Sequence, residues 1–145
     1  MNDLSPQDRQ HELETALRGA GVRITRQRAA LLQVLADAED HPDAPELLRR
    51  ARQVEPGVSL STVYRTLAEL EAQGVVHRLA FEGQSSRFET ADRSHHDHMI
   101  DVETGEVMEF CSDRIERLQA EIAAEMGYEI VHHRMELHVR RKRKI

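Results

Sequence analysis

Ser59-Leu60-Ser61-Thr62-Val63-Tyr64-Arg65-Thr66-Leu67-Ala68-Glu69-Leu70 runs on to Gly74 and then into Val75-Val76-His77-Arg78-Leu79. Leu60, Val63, Leu67 and Leu70 recur at steps of three and four, which is one face of a helix. A serine at 59 or 61 can cap its start. At about 100° per residue, Arg65 points away from that face, Ser61 and Thr62 also point outward, and Tyr64 lies at its edge. After Gly74 the period falls to two. Val75, His77 and Leu79 alternate with Val76 and Arg78, Glu82-Gly83-Gln84 supplies a turn, and Arg87-Phe88-Glu89 returns, which predicts a β-hairpin.

Upstream lie shorter helical patterns. Ser5-Pro6 pairs a cap with a proline at the first helical position, Leu13, Leu17 and Ala20 form the stripe, and Gly21 can close the helix. Thr25 can cap a second helix with Leu31, Leu32 and Leu35 facing inward. Asp43 precedes Ala44-Pro45 and the apolar Leu47, Leu48 and Ala51, and Pro56-Gly57 ends this third helix. Helices followed by a hairpin are the order of a winged helix-turn-helix. Residues 91–94 are polar and aperiodic, which places a hinge there.

The second half predicts strands over 98–103 and 106–110, joined at Thr104-Gly105. Ser112 caps a helix whose stripe is Ile115, Leu118, Ile122 and Met126, closed by Gly127. A last strand runs from Tyr128, its alternation interrupted around His132-His133-Arg134. The expected fold is therefore α+β: an N-terminal winged helix-turn-helix domain over residues 1–91, and a C-terminal α/β domain over 92–145 with a basic tail. The second domain has too few apolar residues to stand alone, so it is expected to pair with a second copy.

The composition is that of a folded soluble chain, 39% hydrophobic and 32% charged. Net charge is −6, but Arg140, Arg141, Lys142, Arg143 and Lys144 hold five of the 20 basic residues, so residues 1–139 carry −11. Any nucleic-acid binding must then use local basic spots on an acidic body. The tail by itself reads as a solvated end. No apolar run approaches a membrane span. Met1-Asn2-Asp3-Leu4 has no signal-peptide character. Cys111 stands alone, which excludes an intrachain disulfide and makes the cytoplasm the expected compartment.

Ser94-His95-His96-Asp97-His98 carries the chemistry. On a strand, side chains alternate between faces, so His95 and Asp97 point one way and His96 and His98 the other. One short strand can thus give two ligands to each of two sites for divalent transition metals. Glu89, Glu109, Glu116 and one of His132 or His133 are further candidates, while spacing leaves His41 open. His11, His77 and His138 have no such company and read as structural or solvated.

These motifs carry a resemblance. Residues 57–65 with their Thr62-Val63-Tyr64-Arg65 core, Arg87-Phe88-Glu89, His95-His96-Asp97-His98 and residues 105–110 are similar to the ferric uptake regulator family, over about residues 13–139. The resemblance implies a DNA-binding domain at 1–91, a dimerisation domain at 92–145, and two nitrogen/oxygen metal sites per chain. The regulatory site, joining the domains, would take His41, Glu89, His96 and His98, with Glu109 close by. The second would take His95, Asp97, Glu116 and His133. It implies a dimeric repressor of metal-uptake genes, with Fe²⁺ as the expected signal, Mn²⁺ the alternative and Zn²⁺ an occupant in vitro. The partner is a double-stranded operator, an A·T-rich palindrome. Arg65 would read guanine, Tyr64 pack on thymine methyls, Ser61 and Thr62 reach phosphate or base, and Arg23 enter an A·T-rich minor groove.

One departure is clear. Many members hold a structural zinc with two Cys-x-x-Cys pairs, the first of which falls at Asp101 and Thr104 here, so a four-cysteine site is impossible. Two rivals from other classes stand beside this reading. His96-x-His98 with Glu109 resembles the two-histidine, one-carboxylate site of a non-haem metalloenzyme, and a metal buffer would bind metal without altering DNA affinity.

Overall fold

A computed structural model describes residues 4–81, 83–92 and 96–143. The chain divides into two compact units, residues 1–94 and 95–145. The expected Arg93 and Ser94 of the hinge, His95 of the second cluster, Glu82 of the turn and Lys144 of the tail lie outside the described residues.

In the first unit the order is α1 (Pro6–Gly19), α2 (Arg26–Asp37), α3 (Ala44–Val54), α4 (Leu60–Ala72), β1 (Val76–Phe81) and β2 (Gln84–Thr90). Each helix begins where a short polar side chain satisfies an otherwise orphaned backbone donor. Ser5 accepts from the Asp8 N–H, Thr25 from Arg28, Asp43 from Glu46 and Ser59 from Thr62. Glycines close the ends of the elements: Gly21 and Gly74, both at positive φ, follow α1 and α4, where an L side chain would be strained. Leu13, Leu17, Leu31, Leu32, Leu47, Leu67 and Leu70 are fully buried in one core, closed by Val76 and Phe88 of the hairpin. Leu60, expected on the buried stripe, is 40% exposed, because as the first residue of α4 it lies a turn before Val63 enters the core.

β1 and β2 pair antiparallel with Val76 opposite Thr90 and His77 opposite Glu89. The loop before α3 runs along β2: the Phe88 N–H donates to the Pro42 carbonyl at 2.9 Å and Asp43 bridges Arg87. Arg9 is buried, with Nε 3.1 Å from both Asp92 carboxylate oxygens and Nη1 donating to the Ala36 carbonyl at 2.7 Å.

The second unit contains β3 (Asp97–Asp101), β4 (Val107–Phe110), α5 (Asp113–Glu125) and β5 (Glu136–Val139). β3 is central, antiparallel to β4 and parallel to β5, which α5 makes possible as the crossover. Two expectations change. Ser112 makes no side-chain cap bond; Asp113 and Glu116 sit in the first turn instead, where carboxylates complement the helix dipole. The last strand covers residues 136–139 only, because the polar run that interrupts the alternation diverts His133 toward Asp97 and Glu116. No residue of α5 is buried: Leu118 is 56% exposed and Ile122 48%.

Candidate metal centres and DNA-reading surface

In the first unit, His41 stands on the loop between α2 and α3, and the pairing of that loop with β2 sets it beside Glu89. His41 Nε2 lies 3.1 Å from Glu89 Oε2, with the two side chains 10% and 5% exposed. Across the hairpin, His77 brings Nδ1 within 3.9 Å of Glu89 Oε1. Sequence reading left His77 as structural or solvated, and it joins neither ligand group. A register shift between Leu79 and Phe81 sets His77 opposite Glu89, which counting back from the turn-closing Phe81–Gln84 pair does not give.

In the second unit, β3 separates two ligand sets. His98 is the register partner of Glu109. His96 Nε2 lies 3.4 Å from Glu109 Oε1, and the His96 and His98 rings meet edge-on with centroids 4.8 Å apart. Asp97 turns instead toward α5 and the segment before β5. His133 Nε2 is 3.4 Å from both Asp97 Oδ1 and Glu116 Oε1. Of the two histidines that sequence left open at this position, His133 joins the cluster and His132 is exposed.

The donor chemistry fits a divalent transition metal in each set. Two ligand atoms each ~2.1 Å from one ion at the tetrahedral angle stand ~3.4 Å apart. That matches the His133–Asp97 and His133–Glu116 separations of 3.4 Å, which are long for a good hydrogen bond. Asp97, Glu116 and His133 each offer one ligand atom within 4.8 Å of the others, and so do His96, His98 and Glu109. Asp97 is 1% exposed, and a carboxylate that far from water is held by hydrogen bonds, an opposite charge or a metal.

The turn between β3 and β4 is built from hydrogen bonds. Asp101 Oδ1 accepts from the Glu103 N–H at 2.8 Å and the Thr104 N–H at 3.2 Å. The Glu103 N–H thereby holds the Asp101 carboxyl below its ordinary pKa. Cys111 is exposed.

α4 presents its outer face as expected: Arg65 is exposed and Tyr64 is 51% exposed. Thr62 is half-buried and its hydroxyl lies 2.9 Å from that of Ser59, so it helps shape the helix start, while Ser61 is exposed. A groove of about 400 Å³ runs between α4 and the hairpin, lined by Tyr64, Glu71, Arg78, Ser85 and Ser86 among others. Arg23 is exposed, and Arg28 Nη1 holds its carbonyl at 2.7 Å.

Residues 19–138 match the profile of the ferric uptake regulator family. The chain belongs to that family. It is 55% identical to the ferric uptake regulation protein of Brucella abortus over 130 residues, 90% of this chain and 92% of that one. The solved Helicobacter pylori ferric uptake regulator, described as having three functional metal-binding sites, superposes with a TM-score of 0.86 at 27% identity, covering 98% of this chain and 95% of that chain. A zinc-bound manganese uptake regulator superposes with a TM-score of 0.68 at 45% identity, covering 90% and 98%. This ferric uptake regulator family member is a DNA-binding transcription regulator of metal uptake and not an enzyme, which removes the metalloenzyme rival. Among the described residues no helix is long and apolar enough to cross a membrane.

Proposed function

We propose that the chain is an iron-responsive, dimeric repressor whose DNA-binding domain, residues 1–91, is coupled by one metal ion to the dimerisation domain at 92–145. The observation that carries this reading is that each unit holds only part of a ligand set. The first unit supplies His41 and Glu89, 3.1 Å apart, and the second supplies His96, His98 and Glu109. A bound ion would supply a cross-link between elements that the sequence separates by a hinge. His41 and Glu89 tether the winged helix to it, and His96 and His98 tether the dimerisation domain. In a dimer, the angle between these domains sets the spacing of the two α4 helices, and only a fraction of untethered spacings fits an operator.

The second set, Asp97, Glu116 and His133 with His95, braces the dimerisation domain. The exposed apolar side chains of α5 and of the segment after it, Leu118, Ile122, Met126 and Ile130, support a second copy as their partner. Arg65, Tyr64, Ser61 and Thr62 read the major groove of an A·T-rich palindrome, and Arg23 the minor groove. A protein of this kind works in the cytoplasm. A manganese-responsive reading stands second, favoured by the 45% identity to a manganese uptake regulator.

Metal titration with and without operator, for wild type and His41→Ala, tests the coupling. Operator DNA is expected to tighten metal binding about 5–150-fold in the wild type, the usual range of allosteric coupling, and to leave His41→Ala unaffected. Equal metal affinity in all four titrations would make the protein a metal buffer.

A further inference from the structure

The loop that carries His41 is held from both sides. On its C-terminal side β2 holds Pro42 through the Phe88 N–H at 2.9 Å. On its N-terminal side Asp40 is gripped by a guanidinium on α3. Arg50 Nη1 donates to Asp40 Oδ1 at 2.9 Å and Nη2 to Oδ2 at 2.6 Å, the two-pronged geometry that fixes a carboxylate in plane. The third prong, Arg50 Nε, donates to Glu46 Oε1 at 2.9 Å. Glu46 is itself fixed, its N–H capped by Asp43 at 2.9 Å and its carboxylate held by Arg49 at 2.7 and 2.9 Å. Arg50 is thus a strut braced against α3, with its far end on the residue that precedes His41.

We propose that Arg50 is a positioning residue for the first metal site, locking Asp40 so that His41 is presented to the metal in a set conformation. The proposal rests on the reading of His41 as a ligand. Its physical basis is preorganisation. A ligand on a free loop loses backbone freedom when it binds, and that loss weakens binding; a loop already pinned at both flanks loses less. Arg49 provides the contrast, because its bonds to Glu46 stay within α3 and do not reach the loop. Both pairs are exposed, and such pairs contribute little to stability; what separates them is that only Arg50 reaches the loop.

The test is competition titration of the full-length protein with Zn²⁺ and Co²⁺, the Co²⁺ ligand-field absorption reporting geometry at the first site. Arg50→Met is expected to weaken that site about 10-fold, the low end for groups that orient metal ligands, and to shift its Co²⁺ spectrum. The Asp97, Glu116 and His133 site keeps its affinity. Arg50→Lys recovers part of the loss, Asp40→Asn matches Arg50→Met, and combining the two loses nothing further. Arg49→Met leaves both sites as in the wild type. Wild-type first-site affinity in Arg50→Met, beside a loss in His41→Ala, overturns the proposal alone. No loss in His41→Ala overturns the ligand assignment and the proposal with it. An equal loss in Arg49→Met reduces Arg50 to one member of a general surface charge cluster and overturns it too.

Discussion

The two units are built on opposite plans. In the first, four helices each start on a side-chain cap and close over fully buried leucines. In the second, α5 has no side-chain cap bond and buries nothing, the flanking strands are four residues long, and Asp97, His98 and Asp101 occupy buried positions on β3. One unit draws its stability from apolar burial within the chain. The other gives interior positions on β3 to Asp97, His98 and Asp101 beside Ile100, and the apolar Leu118 and Ile122 of α5 remain exposed. A domain of this second kind is completed by what it binds.

Leucine truncations on the two sides of the hinge give the largest contrast. Leu70→Ala opens a cavity in a closed core and is expected to cost about 2–5 kcal/mol of folding stability. Leu118→Ala, on a side chain already half in water, is expected to leave monomer stability within about 0.5 kcal/mol while weakening dimerisation. Chemical denaturation and analytical ultracentrifugation read the two quantities. A Leu118→Ala protein that loses as much stability as Leu70→Ala while remaining dimeric breaks the comparison.

Arg65→Ala should come next, at about 1–3 kcal/mol of specific operator binding with relaxed preference at one base pair per half-site. Arg26→Ala should weaken operator and random DNA alike and flatten the salt dependence. Neither should move the metal affinity of the second site, which lies wholly in the other unit. Unchanged discrimination between operator and random DNA in Arg65→Ala would remove α4 as the reading element.

The plan of the first unit was legible because its rules are local. Ser5, Thr25, Asp43 and Ser59 each sit one residue before an apolar period of 3.6, and cap and period name the same boundary. Leu60 failed because periodicity marks a face and not where along that face the core ends. The second unit was harder to read. Ser112 has the right residue at the right place, yet its hydroxyl makes no cap bond, and the expected strand from Tyr128 shrank to residues 136–139. There a long-range demand, His133 meeting Asp97 and Glu116, overrides local pattern. Strand alternation over residues 96–98 already separates His96 and His98 from Asp97, and the two clusters divide the same way. The Arg50–Asp40 clamp was invisible: it joins residues ten apart across a helix start, a spacing with no local signature.

Asp101 sharpens the comparison at a smaller scale. Its side chain holds the β3–β4 turn through two backbone donors, so that turn should not depend on metal. Asp101→Ala is expected to loosen the turn, since two backbone donors lose their acceptor. Chelation should not add to the loss at this turn, although it loosens the Asp97 site. Amide hydrogen exchange at Glu103 and Thr104, with and without chelator, is the measurement. Faster exchange on chelation alone would tie the turn to metal after all.

The smallest effect concerns acid. In the first unit the Glu46 carboxyl is held down to about 2, from 4.5, by its hydrogen bonds to Arg49 and then Arg50, and Asp40 is lowered mainly by Arg50. In the second, Asp101 is lowered mainly by a backbone N–H. A carboxyl lowered on folding contributes stability that is present above its unfolded value and lost as pH falls through its folded value. The first unit therefore weakens as pH drops from about 4.5 toward 2, and the second as pH falls below the ordinary aspartate range, but for different reasons. Exposed charge pairs are screened by salt, whereas a backbone hydrogen bond to a carboxylate is far less so. The acid-dependent part of the first unit's stability should shrink in high salt and largely vanish in Glu46→Gln, and that of the second should persist. Thermal unfolding between pH 5 and 3 at low and high salt separates them. Equal salt sensitivity in the two units would mean that their carboxylates are stabilised by one common field, and the contrast drawn from Arg50 on one side and the Glu103 amide on the other would fail.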